Sequence, residues 1–119
     1  VQARQTDFPQ VRLASGLNVV MGIWEILAPF ILGYSSASVP TTNAIIVGLI
    51  VTVLAAIRFF GAYRAAWLSW VNAVLGVWLI VAPFILGYAG NARTNDIIVG
   101  VIIAALGTWS ALATNQHAV

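Results

Sequence analysis

The sequence contains no cysteine, so disulfide frameworks, cysteine-ligated zinc or iron–sulfur centres and cysteine nucleophiles are excluded together. Charge is nearly as scarce: 7% of the 119 residues are charged, against about 25% in ordinary soluble domains. A chain of this size folded in water could not cover its surface with so few charges, which argues against soluble globular, disordered and nucleic-acid-binding classes. The one histidine, His117, stands in the polar C-terminal tail, which argues against metal or haem ligation and against a Ser–His pairing with Ser69. No phosphate-binding glycine loop, paired carboxylates or clustered metal ligands appear in the sequence. The expectation is a protein that is not an enzyme, with no catalytic residue, metal, cofactor or soluble small-molecule substrate.

What is abundant is apolar surface. Hydrophobic residues make up 61% of the chain, and the mean hydropathy is +0.99. A helix crossing a hydrocarbon core about 30 Å thick needs about 20 mostly apolar residues. Four segments qualify: Leu13–Gly33, Asn43–Phe60, Ala65–Gly87 and Asn95–Ala113. Short breaks at Tyr34–Thr42, Gly61–Arg64 and Tyr88–Thr94 make consecutive helices antiparallel neighbours. Val1–Gln10 is polar and lacks the apolar core of a signal peptide. The chain does not begin with Met, and the expectation is that the true start is missing or was processed.

The net charge of +2 rests on five arginines against three acids, too few for a basic patch but enough for a topology signal. Arg4, Arg12, Arg58 and Arg64 lie at one end of the spans and only Arg93 at the other. That bias puts both termini and the central loop in the cytoplasm. Tyr34 and Tyr88 at one level, and Tyr63, Trp67 and Trp70 at the other, suit headgroup depth.

The chain is also a duplication. Displaced by 54 residues, Asn18–Tyr34 falls on Asn72–Tyr88 with twelve of seventeen positions identical. With the loop two residues shorter, Thr42–Gly48 falls on Thr94–Gly100 with six of seven identical. Each unit is one helical hairpin, and an even number of spans leaves both copies facing the same way. The expected fold is an all-α transmembrane four-helix bundle of two tandem hairpin repeats, related by a parallel pseudo-two-fold along the membrane normal. Its parts are a polar segment 1–12, repeat 1 over 13–60, repeat 2 over 61–113 and a tail 114–119.

Two copies of Asn-x-x-x-Gly-x-Trp, each followed by a small residue, Pro and an aromatic, resemble the SPW repeat family. Where that family is named for Ser-Pro-Trp, both copies here read Ala-Pro-Phe, at Ala28–Phe30 and Ala82–Phe84. The resemblance extends over nearly the whole chain beyond residue 12. It implies a four-helix bacterial integral membrane protein and carries over no catalytic residue.

Pro29 and Pro83 sit within their spans and crowd the carbonyls of Glu25 and Leu79. A kink that shapes each hairpin is expected, with a hinge or substrate-binding break as the sharper alternative. Asn18, Gly22, Glu25 and Pro29 share one helix face, and Asn72, Gly76 and Pro83 repeat it with Leu79 in place of Glu25. Gly48 and Gly100 belong to four-residue series of small side chains, the spacing by which helices approach closely in lipid. Asp96 reads as a cap or first-turn residue beside Arg93.

Glu25 is the departure from this packing pattern. It lies about 18 Å of helix rise from Leu13, where an acid costs about 2.5–3.5 kcal/mol on insertion scales and usually faces the protein interior. With no arginine deep enough to pair with it, Glu25 is expected to be neutral and hydrogen bonded to Asn18, Asn72 or a freed carbonyl. Leu79 at the equivalent place implies that Glu25→Leu leaves stability intact or improves it. The leading expectation is a structural or interaction role among membrane lipids in a bacterial inner membrane. The protein would be an accessory subunit of a larger complex, respiratory and photosynthetic hosts included, or a homo-oligomer. The rival is a small transporter or channel with Glu25 as a proton or cation site.

Overall fold

In the structure, a computed structural model describing residues 9–61 and 65–116 (side chains through residue 113), four helices run in sequence. These are α1 (Pro9–Ile31), α2 (Ser38–Phe60), α3 (Ala66–Leu86) and α4 (Asn91–Gln116). Arg4, Asp7, Tyr63, Arg64 and His117 lie outside the described residues. All four helices are long and apolar enough to cross a membrane. Twenty-three residues rise about 35 Å, slightly more than the hydrocarbon thickness.

Several helices start before the apolar runs do. α1 is described from Pro9, four residues ahead of Leu13. α2 starts at Ser38, with Pro40 tolerated in its first turn, and α4 at Asn91. The added residues at the start of α2 and α4 move Asn43, Asn95 and Asp96 from the very ends of their predicted spans to positions a turn or more inside the helices. α1 and α3 close alike. Gly33 and Gly87 take φ of 85° and 79°, a region open chiefly to glycine. The N–H groups of Tyr34 and Tyr88 then reach the carbonyls of Pro29 and Pro83 at 2.9 and 3.0 Å. Both helices continue through their prolines, which are buried.

Each hairpin packs most extensively within itself, and α1–α4 forms the closer of the two contacts between hairpins. Lipid removes the hydrophobic drive between helices, so close backbone approach and side-chain hydrogen bonds must hold the bundle. The glycines permit that approach. A Cβ on Gly76 would stand 2.5 Å from the Ala104 nitrogen and 2.6 Å from the Gly100 carbonyl oxygen. One on Gly22 would meet the Gly48 carbonyl at 2.9 Å, and one on Gly48 the Gly22 carbonyl at 2.7 Å. Gly76→Ala is therefore expected to lower stability by about 1–3 kcal/mol through overpacking, measured by thermal unfolding in detergent. Gly61→Ala, where an added Cβ meets none of the described residues within 4 Å, should leave the midpoint unchanged.

The mid-bundle core is Val47, Val51, Leu79, Val99 and Ile103, with Met21, Trp24, Leu75 and Trp78 packed against it. Asn18 and Asn72 are buried, and the Asn72 amide donates to the Val51 carbonyl at 3.3 Å, tying α3 to α2. The outward surface is apolar along its length, from Val20 and Ile23 to Val74, Val77 and Ile98.

Candidate functional site

Two polar layers lie inside the bundle. The first sits near the end that carries the α1–α2 and α3–α4 loops. Glu25 is six residues before the end of α1, and Asp96 five residues after the start of α4, so both lie about 7–9 Å of helix rise inside the bundle end. Glu25 is 0% exposed and Asp96 1%. Asn95 organises this layer. Its carbonyl accepts from the Trp24 indole at 2.9 Å, and its amide donates to Glu25 Oε1 at 3.0 Å and more weakly to the Tyr34 hydroxyl at 3.4 Å. The Tyr88 hydroxyl donates to Asp96 Oδ2. The two carboxyl groups themselves lie within hydrogen-bonding reach of each other. Burial, reinforced by the acids beside them, pushes the Tyr34 and Tyr88 phenols above the ordinary tyrosine value. Both therefore stay O–H donors at neutral pH.

The same hydrogen bonds recur in the other repeat. The Trp78 indole donates to the Asn43 carbonyl at 2.8 Å, and the Asn43 amide to the Tyr88 hydroxyl at 3.1 Å. Trp24–Asn95–Tyr34 and Trp78–Asn43–Tyr88 are thus equivalent clasps, each joining an odd-numbered helix of one repeat to an even-numbered helix of the other. Where the acids stand, the equivalence breaks: the counterparts of Glu25 and Asp96 are Leu79 and Ala44.

The second layer lies toward the opposite end and takes one side chain from each helix. Ser15 of α1, Ser69 of α3 and Arg58 of α2 all converge on the Ser110 hydroxyl of α4, at 3.2, 2.9 and 3.1 Å. Arg58 also donates to the Ser110 carbonyl at 3.1 Å. Its position in the last turn of α2 places a cation at a helix C-terminus, where the macrodipole favours it.

Three sequence expectations change here. Asp96 is not a first-turn residue, because α4 begins at Asn91 and carries the Asp96 side chain into the bundle interior. Arg93 lies over the Phe84 ring, 5.3 Å from its centroid, rather than against Asp96. Glu25 accepts from Asn95 and lies beside Asp96, while Asn18 and Asn72 lie two to three turns farther along the bundle. Arg58 keeps its place in the last turn of α2, at the end of the span, and is fully enclosed by the serine layer. Of the glycines and prolines singled out, Gly22 meets Gly48, Gly76 meets Gly100, and Pro29 and Pro83 face inward. Asp96 carries a signal in the sequence for a place in this layer: it is the one mismatch between Thr42–Gly48 and Thr94–Gly100. Among the described residues no group of three or more His, Cys, Asp or Glu is placed to hold a metal ion.

Four apolar spans, paired as two hairpins with repeated internal hydrogen bonds, define an all-α membrane-spanning bundle built by tandem duplication. The SPW repeat domain matches residues 12–110, and the chain belongs to that family. Comparison with the curated proteins and with the solved structures gives no match.

Proposed function

We propose that the chain is a non-enzymatic interaction module of the membrane, an accessory subunit that packs against a larger membrane complex or against further copies of itself. The observation that carries this reading is a groove between α2 and α3. The repeats make this interface the counterpart of α1–α4, yet it is the looser of the two. It leaves a cavity of about 600 Å³ lined by Val39, Ile46, Ile50, Leu75 and Trp78, among others. Leu79 and Ala44 offer no polar group to draw these helices together. A concave apolar surface gives a neighbouring helix more van der Waals contact than a smooth one, and such packing is what associates helices in lipid. A respiratory or photosynthetic complex is a fitting host.

Purification of the native protein in mild detergent tests the reading. Migration with a discrete larger species is expected. Ile46→Trp, which fills the groove from a half-exposed position, should cut recovery of that species at least tenfold without loss of helicity. A lone chain in both detergent and cross-linked membranes would overturn the proposal. So would Glu25-dependent proton or cation flux in proteoliposomes, the mark of the transporter reading. Against a path through a single chain, the core side chains Val47, Val51, Val99 and Ile103 occupy the bundle between the two polar layers, where Asn18 and Asn72 are the buried polar residues.

The proposed setting is a bacterial cytoplasmic membrane with both termini inside, from the arginine bias. Single cysteines at Ser36 and Asn91 should react with a membrane-impermeant thiol reagent from outside intact cells, and one at Ala62 should not. Labelling at Ala62 alone would reverse the orientation.

A further inference from the structure

Each acid of the inter-repeat layer has one oxygen supplied with a donor. Glu25 Oε1 takes the Asn95 amide and Asp96 Oδ2 the Tyr88 hydroxyl. The other two oxygens, Glu25 Oε2 and Asp96 Oδ1, are buried and meet no donor in the described structure, yet the two carboxyl groups are in contact. Two neighbouring buried carboxyl groups, each with an oxygen lacking a donor, cannot both be ionised without something positive between them. The surrounding elements supply no cation among the described residues. Beside the acids, α1 presents Trp24, α2 Asn43 and Ala44, α3 Trp78 and Leu79, α4 Asn95, and the loops Tyr34 and Tyr88. Arg93 lies over Phe84, and Arg58 is about 20 Å of helix rise away in the serine layer.

We infer that Glu25 and Asp96 form a one-proton binding site between the two repeats, with the proton shared between Glu25 Oε2 and Asp96 Oδ1. The proton closes a hydrogen bond from α1 to α4 and so clasps the first repeat to the second. Exchange occurs with the nearer, loop side, from which the half-buried Tyr88 reaches Asp96 and the half-buried Tyr34 reaches Asn95, because Val47, Val51, Val99 and Ile103 pack the bundle on the far side. The fold does not need this bond for its own sake. Leu79 and Ala44 occupy the equivalent places with no polar group, so the acids are an addition to one of two otherwise matching interfaces. The inference stands independently of what the groove binds.

Infrared spectroscopy of the full chain in lipid nanodiscs, prepared without sodium, potassium or calcium, tests it. A protonated-carboxyl band corresponding to one group per chain is expected at neutral pH. It should vanish on alkalinisation with release of one proton per chain, and adding those three cations in turn should leave it in place at neutral pH. Glu25→Leu with Asp96→Ala should remove the band. Glu25→Gln and Asp96→Asn, each nearly isosteric and each supplying an amide donor in place of the proton, should remove it singly, which keeps the test informative if the double variant does not fold. Absence of the band at neutral pH, or its survival in the substituted proteins, would overturn the assignment. Its loss on adding a cation at neutral pH would replace the proton site with a metal-ion site.

Discussion

Replacing Glu25 with Leu and Asp96 with Ala together is expected to give a protein at least as stable as the original, while either substitution alone destabilises it. The single changes strand a partner. Glu25→Leu leaves Asp96 Oδ1 and one Asn95 amide hydrogen facing apolar side chains, and Asp96→Ala leaves Glu25 Oε2 in the same position. A buried polar group without its partner costs about 1–3 kcal/mol. The double change removes both groups and reproduces the Leu79 and Ala44 arrangement of the other repeat, while Asn95 keeps Trp24 and Tyr34. The coupling energy from a double-mutant cycle should be about 1–3 kcal/mol, read from thermal unfolding in detergent. Additive effects would mean that the acids do not interact. This outcome differs from the expectation for Glu25 considered alone, because in the interface where Leu79 replaces the acid, the counterpart of Asp96 is Ala44, so no carboxyl is stranded.

Arg58→Ala should be the most damaging single change at the opposite layer. The arginine is fully enclosed and donates to both the carbonyl and the hydroxyl of Ser110, which Ser15 and Ser69 also reach. Its removal deletes charge-assisted hydrogen bonds and leaves a hole where four helices meet. A loss of about 2–4 kcal/mol is expected, after offsetting the desolvation that the arginine no longer suffers. Arg58→Lys should recover only part of that, since an ammonium cannot reproduce the guanidinium's planar fork of donors. Circular dichroism melts of the three proteins decide the matter: equal midpoints for Arg58→Ala and the parent would show that the layer contributes nothing to stability.

The two layers differ in how far they could be read in advance. Glu25 stands out because a charge in an apolar run is a local anomaly. Asp96 stands three residues from Arg93 at the edge of such a run, where caps are common, so its local context pointed to a different role. The information that corrects it is the helix start at Asn91, which is set by how the chain leaves the Tyr88–Gly90 turn. The serine layer has no local signature at all. Ser15, Ser69 and Ser110 are ordinary small residues in apolar helices, and only their convergence on Arg58 gives them a common role.

The spans, the duplication, the inward faces and the close-packed glycines were determined by the sequence itself. They are local or periodic properties: run length sets a span, a repeat is self-similarity, and four-residue spacing sets a helix face. The tertiary structure alone decided that Glu25 meets Asp96, that Trp24 and Trp78 donate across the repeats, and that Arg58 is enclosed. Those contacts join helices of different repeats, and their geometry depends on the relative depth and rotation of helices in the bundle. A shift of one residue turns a helix by about 100°, so the few residues by which α4 begins early carry Asp96 from a loop edge to the heart of the interface.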